Sequence, residues 1–490
     1  MSKSAIVIGA GISGLSSALY LAKNGYEVQV MEKNLLPGGR ARKMHVNGFT
    51  YDMGPSWYWM PDVMENFFAD FGYKSSDFYE LERLDPAYRV YFSPTDYVDV
   101  PAGTEAIVDL FESIEKGSGD KLIKFLKEAE LKYKLGMGKM VHKPGKSPLE
   151  FIDFSVLFAL LRTNAFKPLS SHVRKLFKNP RLVQILEFPV LFLGASPDRT
   201  PALFSLMNYA DFGLGTWYPK GGMFKLIEAM VTLAKEYNVN ITYGSSVEHL
   251  DVIKKKVSCA LSNKKAFFAD NYVVSADYHF ADTQLLAAQH RSYSKKYWDS
   301  QTLAPSSLLI YLGVNRKIPG LLHHTLLFDT DYYKHARQIY DTPQWPSEPS
   351  MYISCTSKSD DSVAPEGHEN VMILIPVAPG LDDNGKVREH YYNLVLERIE
   401  KITGVDIKDN VVYKRIYAHS DFINDYNAFK GNAYGLANTL RQTAFFRPKI
   451  KHKFIKNLFF AGQLTVPGPG VPPSLISGKL AANELIKSYS

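Results

Sequence analysis

Cysteine is almost missing from this sequence, which has two thiols, Cys259 and Cys355, among 490 residues. Two cysteines build neither a disulfide framework nor a four-thiolate metal site, and their scarcity suits a reducing cytoplasm. The pair His323 and His324 supplies no metal site either, because adjacent side chains on a strand point to opposite faces. The sequence therefore predicts no resident metal and a cytoplasmic location.

Long apolar runs and dense basic tracts are also lacking. No stretch reaches about 18 uninterrupted apolar residues, the length that a membrane-spanning helix needs, and the chain enters a strand pattern at once, which leaves no room for a signal peptide. The net charge is +7, but Lys and Arg do not cluster with aromatic residues as they do in nucleic-acid-binding proteins. We expect no nucleic-acid partner, and the positive excess favours anionic lipid headgroups.

Hydrophobic residues, in contrast, make up 46% of the chain, with 30 Tyr and 29 Phe. A chain of 490 residues is expected to fold as two or three domains. Aromatic rings fill cores and also line slots for apolar molecules. The composition predicts a globular protein with a large buried core and room for a greasy substrate.

The N-terminal segment carries a strand, turn, helix, strand pattern. A strand at Ser4–Ile8 leads into the turn Gly9-Ala-Gly11-Ile-Ser-Gly14, a helix follows at Leu15–Lys23, and a strand at Glu27–Met31 ends at Glu32. In such a turn the first glycine permits the bend, the second lets the backbone approach a pyrophosphate, and the third lets helix and strand pack closely. The helix N-terminus receives the phosphates, and Glu32 is placed to accept ribose hydroxyls. The pattern predicts dinucleotide binding.

Later motifs favour FAD over NAD. Gly38-Gly39-Arg40 brings a glycine pair and a cation toward the pyrophosphate. Asp52-Met-Gly54-Pro55-Ser56 is a rigid turn suited to the neighbourhood of a flavin. Gly462 ends a strand, and Gly468–Ser474 opens the last helix. The N-terminus of that helix would stabilise the negative charge of a reduced flavin.

Hydrophobic periodicity predicts further elements along the chain. The predicted helices are Glu65–Phe71, Glu105–Ser113, Asp120–Lys134, Met223–Lys235, Arg388–Thr403 and Ser474–Ile486, and the predicted strands are Asn240–Thr242, Ser246–Val252, Tyr272–Ser275, Ser306–Val314, Val371–Val377 and Asn457–Ala461. Between residues 147 and 195, apolar blocks such as Phe151–Leu161 alternate with Arg and Lys. That pattern is typical of helices lying in a membrane interface and also of a core with charged rims.

Together these motifs resemble the bacterial-type phytoene desaturase family, the carotenoid desaturases of the FAD-dependent amine oxidase-like superfamily. The similarity runs nearly end to end. Beyond the FAD motifs it rests on the segments Gly54–Pro61, Trp217–Met223, Leu322–Thr325, Ala364–Asn370, Tyr426–Ala428, Gly431–Thr439 and Gln463–Ser474.

The resemblance implies a fold, its boundaries and its cofactor contacts. The fold class is α/β, with a Rossmann-like FAD-binding domain, a mixed-sheet substrate domain and a helical membrane-contacting part. FAD-binding segments are expected at 1–85, 211–290 and 451–490, substrate-domain segments at 86–146 and 291–450, and the helical part at 147–210. The implied FAD contacts are Gly9, Gly11, Ser13, Gly14, Glu32, Lys33, Gly39, Arg40, Pro55, Ser56, Val247, Gly462 and Pro472, with Val247 in a strand that faces the adenine.

The resemblance also implies desaturation of a long polyene, with phytoene, on the way to lycopene, as the leading substrate. Asp153 is the candidate for handling the proton, because similar proteins carry Phe-x-Asp where this chain has Phe151-Ile-Asp153, and burial would raise the pKa of such a carboxyl. Some relatives carry Arg three positions later, where this chain has Val156. A surface or helix-capping role for Asp153 stays open. A quinone or oxygen is the expected electron acceptor, since no second nucleotide fingerprint occurs.

Other activities stay open at this point. A 3,4-desaturase of a 1-hydroxylated carotenoid, or a dehydrosqualene desaturase, would share every FAD motif. An amine oxidase would need an aromatic cage at the flavin, often with a covalent link, and the two cysteines lie outside the flavin motifs. A prenyl-lipid carrier would share the fold without redox chemistry. The leading expectation is a carotenoid desaturase associated peripherally with a membrane.

Overall fold

The computed structural model describes residues 3–153, 158–159, 162–193 and 196–489. Its strands are β1 Ser4–Ile8, β2 Glu27–Met31, β3 Lys43–Val46, β4 Phe49–Asp52, β5 Leu81–Arg83, β6 Tyr88–Ser93, β7 Asp96–Val100, β8 Trp217–Pro219, β9 Asn240–Thr242, β10 His249–Ile253, β11 Lys256–Ser262, β12 Lys265–Phe267, β13 Asn271–Val274, β14 Ser306–Val314, β15 His324–Leu327, β16 Met351–Ser354, β17 Glu369–Val377, β18 Val411–Tyr417 and β19 Leu458–Phe460. Its α-helices of five or more residues are α1 Ile12–Lys23, α2 Pro61–Ala69, α3 Thr104–Ile114, α4 Ser118–Leu135, α5 Leu169–Leu176, α6 Pro180–Glu187, α7 Phe224–Glu236, α8 Lys295–Asp299, α9 Tyr332–Tyr340, α10 Gly385–Thr403, α11 His419–Tyr426 and α12 Val471–Lys487.

A five-stranded parallel sheet has the order β19-β13-β1-β2-β9. Its central strand, β1, is a continuous apolar run that is buried along most of its length, as is typical of a parallel sheet covered on both faces. Strands from the beginning, the middle and the far end of the chain meet in this sheet. Its carboxyl ends therefore collect loops that are remote from one another in sequence.

The first and last helices pack closely against each other. The hydroxyl of Ser16 donates to the carbonyl of Leu475 at 2.7 Å, and that of Ser17 donates to the carbonyl of Gly478 at 3.1 Å. A Cβ atom added to Gly478 would lie 2.4 Å from the carbonyl oxygen of Ser13. The contact between α1 and α12 thus requires a glycine and small polar residues.

A second, seven-stranded sheet has the order β18-β14-β17-β16-β15-β6-β7 and is mixed, because β15 pairs with β6 in parallel and the other pairs are antiparallel. Both faces of β14 are buried. Leu308 and Ile310 face a core that includes α10, whereas Leu309 and Tyr311 face the other core. This alternation follows the two-residue period of a strand.

The predicted elements agree with the structure in type, and most differences are a few residues at an end. The strands Ser4–Ile8, Glu27–Met31, Asn240–Thr242 and Ser306–Val314 have the predicted bounds. One prediction is wrong: the strand expected from Ser246 begins at His249, so Val247 lies in the preceding loop. The predicted domain boundaries stay a prediction.

The segment expected to contact a membrane contains α5, α6 and several short turns. Part of its predicted apolar block, including Val156, lies outside the described residues. Within the described ranges, no helix combines the length and apolar character needed to cross a membrane.

A buried polar network ties the segment after α6 to the seven-stranded sheet. The carboxylate of Asp211 accepts hydrogen bonds from the Tyr88 hydroxyl at 2.8 Å and the Thr216 hydroxyl at 3.0 Å, and the Thr216 hydroxyl accepts one from the Trp59 indole at 2.7 Å. Burial raises the pKa of Asp211 to about 7, against the hydrogen bonds, which lower it. The protonated form is therefore favoured in the folded protein.

This raised pKa predicts how Asp211 affects stability at different pH. Between the unfolded and the folded pKa, the folded state holds a proton that the unfolded state has released. The stabilisation of the fold by protonated Asp211 is therefore complete below the unfolded pKa and is lost as the pH rises through about 7. Relative to Asp211→Asn, the wild-type unfolding free energy should fall by about 2 kcal/mol between about pH 5 and 7. Urea titrations of both proteins measure the difference, and parallel pH profiles would contradict it. Asp52, whose pKa burial also raises to about 7, is common to both proteins and cancels.

Candidate cofactor site

A cleft enclosing about 1580 Å³, open solvent included, lies at the carboxyl ends of the parallel strands. Ligands of open α/β sheets bind at this edge. Its walls come from the loops that follow β1, β2, β9, β13 and β19, from residues 38–41 and 53–55, and from the start of α12.

Most of the predicted contacts line this cleft. Those that do so are Gly9, Gly11, Ser13, Glu32, Lys33, Gly39, Arg40, Pro55, Val247 and Gly462. Gly14, Ser56 and Pro472 are not among its lining residues. Ser56 instead accepts a hydrogen bond from the Tyr352 hydroxyl at 2.9 Å, and Pro472 is the second residue of α12.

Each glycine of the turn is required for a different structural reason. Gly9 has φ +103°, a conformation that favours glycine. A Cβ on Gly14 would lie 2.0 Å from the carbonyl oxygen of Gly9, so that position is fixed by helix packing against the turn. A Cβ on Gly11 would meet only the Cα of Gly39, at 3.9 Å, within 4 Å. The backbones of Gly11 and Gly39 thus border open space that a side chain would fill.

Glu32 is buried at the end of β2, with 4% of its surface exposed. One carboxylate oxygen accepts the N–H of Ala10 at 2.7 Å, and the other accepts the backbone and side-chain N–H groups of Asn34 at 2.8 and 3.0 Å. A carboxylate oxygen has two lone pairs, so the first oxygen can still accept a hydroxyl. These bonds hold the acid in an orientation suited to a ribose.

Arg40 brings to the cleft a cation that forms no close ion pair among the described residues. Its Nη2 donates to the carbonyl of Asn432 at 3.3 Å, and its Nε meets no hydrogen-bond partner among the described residues. Burial lowers the pKa of Arg40, and the nearby charge of Asp277 opposes that shift. A buried guanidinium with spare donors suits an anion that presents two oxygens to its fork, such as a phosphate.

The start of α12 completes the cleft. Gly470, Val471 and Ser474 line it. Gly470 precedes the helix with φ +117° and makes no side-chain cap. The first N–H groups of a helix have no partner within it and carry partial positive charge, so this end suits an acceptor.

These features fit FAD. The turn at Gly9–Gly14 and Arg40 would hold the pyrophosphate, Glu32 the ribose, the loop at Val247 the adenosine end, and the start of α12 the flavin. Bound there, FAD supplies a ring that accepts a hydride. Asp277 also lines the cleft. This residue was not predicted from the sequence, although it lies just after the predicted strand Tyr272–Ser275, at the end where ligands of parallel sheets bind.

The side chain of Asp153 is not in the buried position that its candidate role in handling the proton would favour. Its side chain is 34% exposed and lies 3.7 Å from the Lys139 ammonium, and it is not among the residues lining the cleft. A role for Asp153 in proton transfer stays a prediction.

The two adjacent histidines are packed into the aromatic interior. His324 begins β15, shares a hydrogen bond with the Tyr352 hydroxyl at 2.7 Å and stacks on Trp57 with ring centroids 4.0 Å apart. His323 precedes the strand and bonds to Ser359. Burial lowers the pKa of both, that of His323 to about 3. In the described part of the chain no group of His, Cys, Asp or Glu is arranged to hold a metal.

A second cavity of about 540 Å³, open solvent included, adjoins the cleft. Leu374 on β17 lines both. The walls of this second cavity are α9, parts of β15–β17 and the rings of Phe188 and Phe328. The sequence patterns did not point to this cavity.

Known proteins match the whole chain. A family model described as flavin containing amine oxidoreductase matches residues 12–486. The chain is 42% identical to a carotenoid 3,4-desaturase of Haloarcula japonica, over 99% of this chain and 98% of that protein. It is 32% identical to a zeta-carotene-forming phytoene desaturase of Myxococcus xanthus, over 98% and 93%. A solved structure of an oxidoreductase from Methanosarcina mazei shares the fold, with a TM-score of 0.66, 16% identity and coverage of 97% and 99%.

Proposed function

Because this chain belongs to the family of flavin containing amine oxidoreductases and is an FAD-dependent oxidoreductase, we propose that it desaturates a carotenoid. The full-length similarity to desaturases carries this proposal. It favours oxidation of a CH–CH bond over amine oxidation or carriage of a prenyl lipid, the alternatives left open by the FAD motifs.

In this proposal the protein side chains position the substrate and exclude water. The cleft continues past the cofactor residues onto Leu309, Leu374 and Tyr434 of the substrate side. An apolar wall there orients a polyene and keeps solvent from the reacting bond. The carbocation character that develops beside conjugated double bonds makes the neighbouring proton acidic, so a weak base suffices. A quinone or oxygen is proposed as the electron acceptor.

Two positions of the new double bond are candidates. The greater identity to the 3,4-desaturase favours oxidation near the end of an acyclic carotenoid. Phytoene-type desaturation, our leading expectation from the sequence, has its support in the phytoene desaturase relative. Both use the same cofactor residues, so the shape of the substrate cavity distinguishes them.

Expression in cells that accumulate either phytoene or a 1-hydroxylated carotenoid tests the choice. We expect the hydroxylated carotenoid to gain one double bond, which chromatography with absorption spectra detects. An Arg40→Met variant serves as the control for background oxidation. Conversion of phytoene alone would support the second candidate, and conversion of neither carotenoid would contradict desaturation by this chain.

We further propose that the protein contacts a membrane through an apolar loop surface formed by Leu149, Ile152 and Phe446, which are 73%, 59% and 54% exposed. Phe151 and Phe445 lie beneath it with ring centroids 6.0 Å apart. Lys143 lies over the Phe151 ring at 5.6 Å, and the Lys449 ammonium donates to the backbone carbonyl of Phe445 at 2.7 Å. Exposed apolar side chains beside lysines suit insertion below anionic headgroups, and the insolubility of carotenoids favours such contact.

Replacing Leu149, Ile152 and Phe446 together with serine should release the protein from vesicles. Each side chain buried in the interface contributes about 1.5–3 kcal/mol, so the loss of three should lower the partition coefficient by a factor of about 1000 or more. Co-sedimentation with phosphatidylglycerol vesicles measures it. The matched control replaces Phe268 and Phe454, 74% and 56% exposed elsewhere, and should bind as the wild type does. Equal loss in both variants would contradict the assignment of this surface.

A further inference from the structure

The second cavity is built on one face of helix α9. Tyr332, His335, Ala336, Ile339 and Tyr340 all line it, and their spacing of three or four residues places them on one side of a helix. The opposite wall comes from the seven-stranded sheet, where β17 also borders the cofactor cleft through Leu374. A chain lying against the cofactor could therefore place its end here.

Three hydroxyl groups in this cavity have unmet hydrogen-bonding capacity. The side-chain oxygens of Tyr332, Tyr340 and Ser350 are buried, and within the described residues none has a hydrogen-bond partner. Tyr332 and Ser350 are each 5% exposed. Buried hydroxyls without partners are rare and costly. Their presence in one small cavity indicates a ligand that carries a polar group at its tip.

The cavity is also uncharged. Its described lining residues include no Asp, Glu, Lys or Arg. The only ring that could gain a charge is His335, whose Nε2 bonds to the carbonyl of Pro376 at 2.8 Å and whose Nδ1 accepts the N–H of Ser350 at 3.1 Å. Burial lowers the pKa of His335 to about 4, which keeps it neutral. A carboxylate or an ammonium group would find no counter-charge among these lining residues, whereas an alcohol would find donors and acceptors.

We propose that this cavity binds the end of the carotenoid chain and selects substrates that carry a terminal hydroxyl. The unpaired hydroxyls of Tyr332, Tyr340 and Ser350 hydrogen-bond to the substrate alcohol, while Phe188, Phe328 and Ile339 enclose the methyl groups beside it. This inference rests on the proposed function, because it assumes a carotenoid substrate, and it makes the hydroxylated end a condition for tight binding.

A pair of substrates with the same polyene, one with a terminal hydroxyl and one with a hydrocarbon end, tests the proposal. With purified FAD-loaded wild type, kcat/KM should favour the hydroxylated carotenoid by at least about tenfold. The double variant Tyr332→Phe/Tyr340→Phe should lower kcat/KM for the hydroxylated substrate about tenfold or more, mainly by raising KM. Its kcat/KM for the hydrocarbon-ended substrate should stay within about twofold of the wild-type value. Ser350→Ala should act in the same direction.

Tyr333→Phe is the matched control. Tyr333 lies beside Tyr332 on α9, but its hydroxyl donates to Glu187 at 2.7 Å and it does not line the cavity. It should leave the ratio of the two kcat/KM values unchanged. Flavin content and the thermal midpoint of each variant show whether the fold is intact, and the ratio within one variant is independent of the amount of active protein.

The outcomes separate the two hypotheses. A wild-type ratio of the two kcat/KM values near one would overturn the inference and leave carotenoid desaturation standing. The same holds if the Tyr→Phe variants lower kcat/KM equally for both substrates. A preference for the hydrocarbon end would also overturn it and would indicate that water occupies the hydroxyls. Conversion of neither carotenoid would overturn the proposed function, and this inference with it.

Discussion

Replacing Arg40 with methionine should weaken FAD binding about a hundredfold while leaving the FAD-free protein at least as stable as the wild type. Arg40 offers spare donors, including an Nε without a partner among the described residues, to a ligand anion. Charge-assisted hydrogen bonds contribute about 1.5–3 kcal/mol each, and the loss of one or two gives this decrease in affinity. Without FAD, the variant is relieved of burying a cation. Flavin fluorescence titration and urea unfolding measure the two effects.

Arg42→Met is the matched control for Arg40→Met. Arg42 pairs with Asp425 and donates to the Tyr426 hydroxyl at 3.2 Å, and it does not line the cleft. Its loss should destabilise the FAD-free protein by about 2–4 kcal/mol, because it leaves Asp425 without its cation, and should change FAD affinity only a few-fold. An Arg40→Met protein that binds FAD normally would contradict a pyrophosphate at this guanidinium.

Replacing Gly14 with alanine should destabilise the protein by at least about 3–5 kcal/mol and abolish flavin retention. The added methyl group would lie 2.0 Å from the carbonyl oxygen of Gly9 and 3.1 Å from the Cβ of Ser275. Neither the turn nor α1 can move away, since α12 packs on the other side of α1 through Gly478. Urea unfolding with and without FAD, together with the flavin content after gel filtration, measures both effects.

Gly385→Ala provides the comparison for Gly14→Ala. Gly385 begins α10, and a Cβ there would meet no atom within 4 Å. The change should alter the unfolding free energy by less than about 1 kcal/mol. If both alanine variants were equally stable, the close packing of α1 against the turn could not be the reason for glycine at position 14.

The cofactor site could be predicted from sequence because its chemistry is local. Gly9, Gly11 and Glu32 are fixed by the strand-turn-helix-strand unit of residues 4–32. Arg40 and Gly462 could be added because each follows a glycine-rich or strand-ending motif. For such residues, neighbours in the chain decide the conformation, and the pattern is visible without a structure.

The substrate side could not be predicted in the same way. Tyr332 and Ser350 line one cavity because α9 packs across the seven-stranded sheet, and no local sequence pattern indicates that arrangement. The burial of Asp153 was inferred from apolar neighbours in sequence, but the structure leaves this side chain 34% exposed beside Lys139. Likewise, the apolar pattern predicted a strand over Ser246–Val252 that includes Val247, whereas the sheet pairing that defines β10 begins two residues later, at His249. Tertiary packing decides these positions.

The parallel sheet contains β1 at its centre and β19 at its edge, and α12 covers α1. During translation, the glycine turn leaves the ribosome more than 400 residues before the segment that closes the cleft. The apolar flank of α1 in the nascent chain therefore stays uncovered until residues 458–487 have emerged. Domains otherwise fold as units during synthesis, so this connectivity leaves the cofactor cleft incomplete until strands and helices from both ends of this sequence have been made.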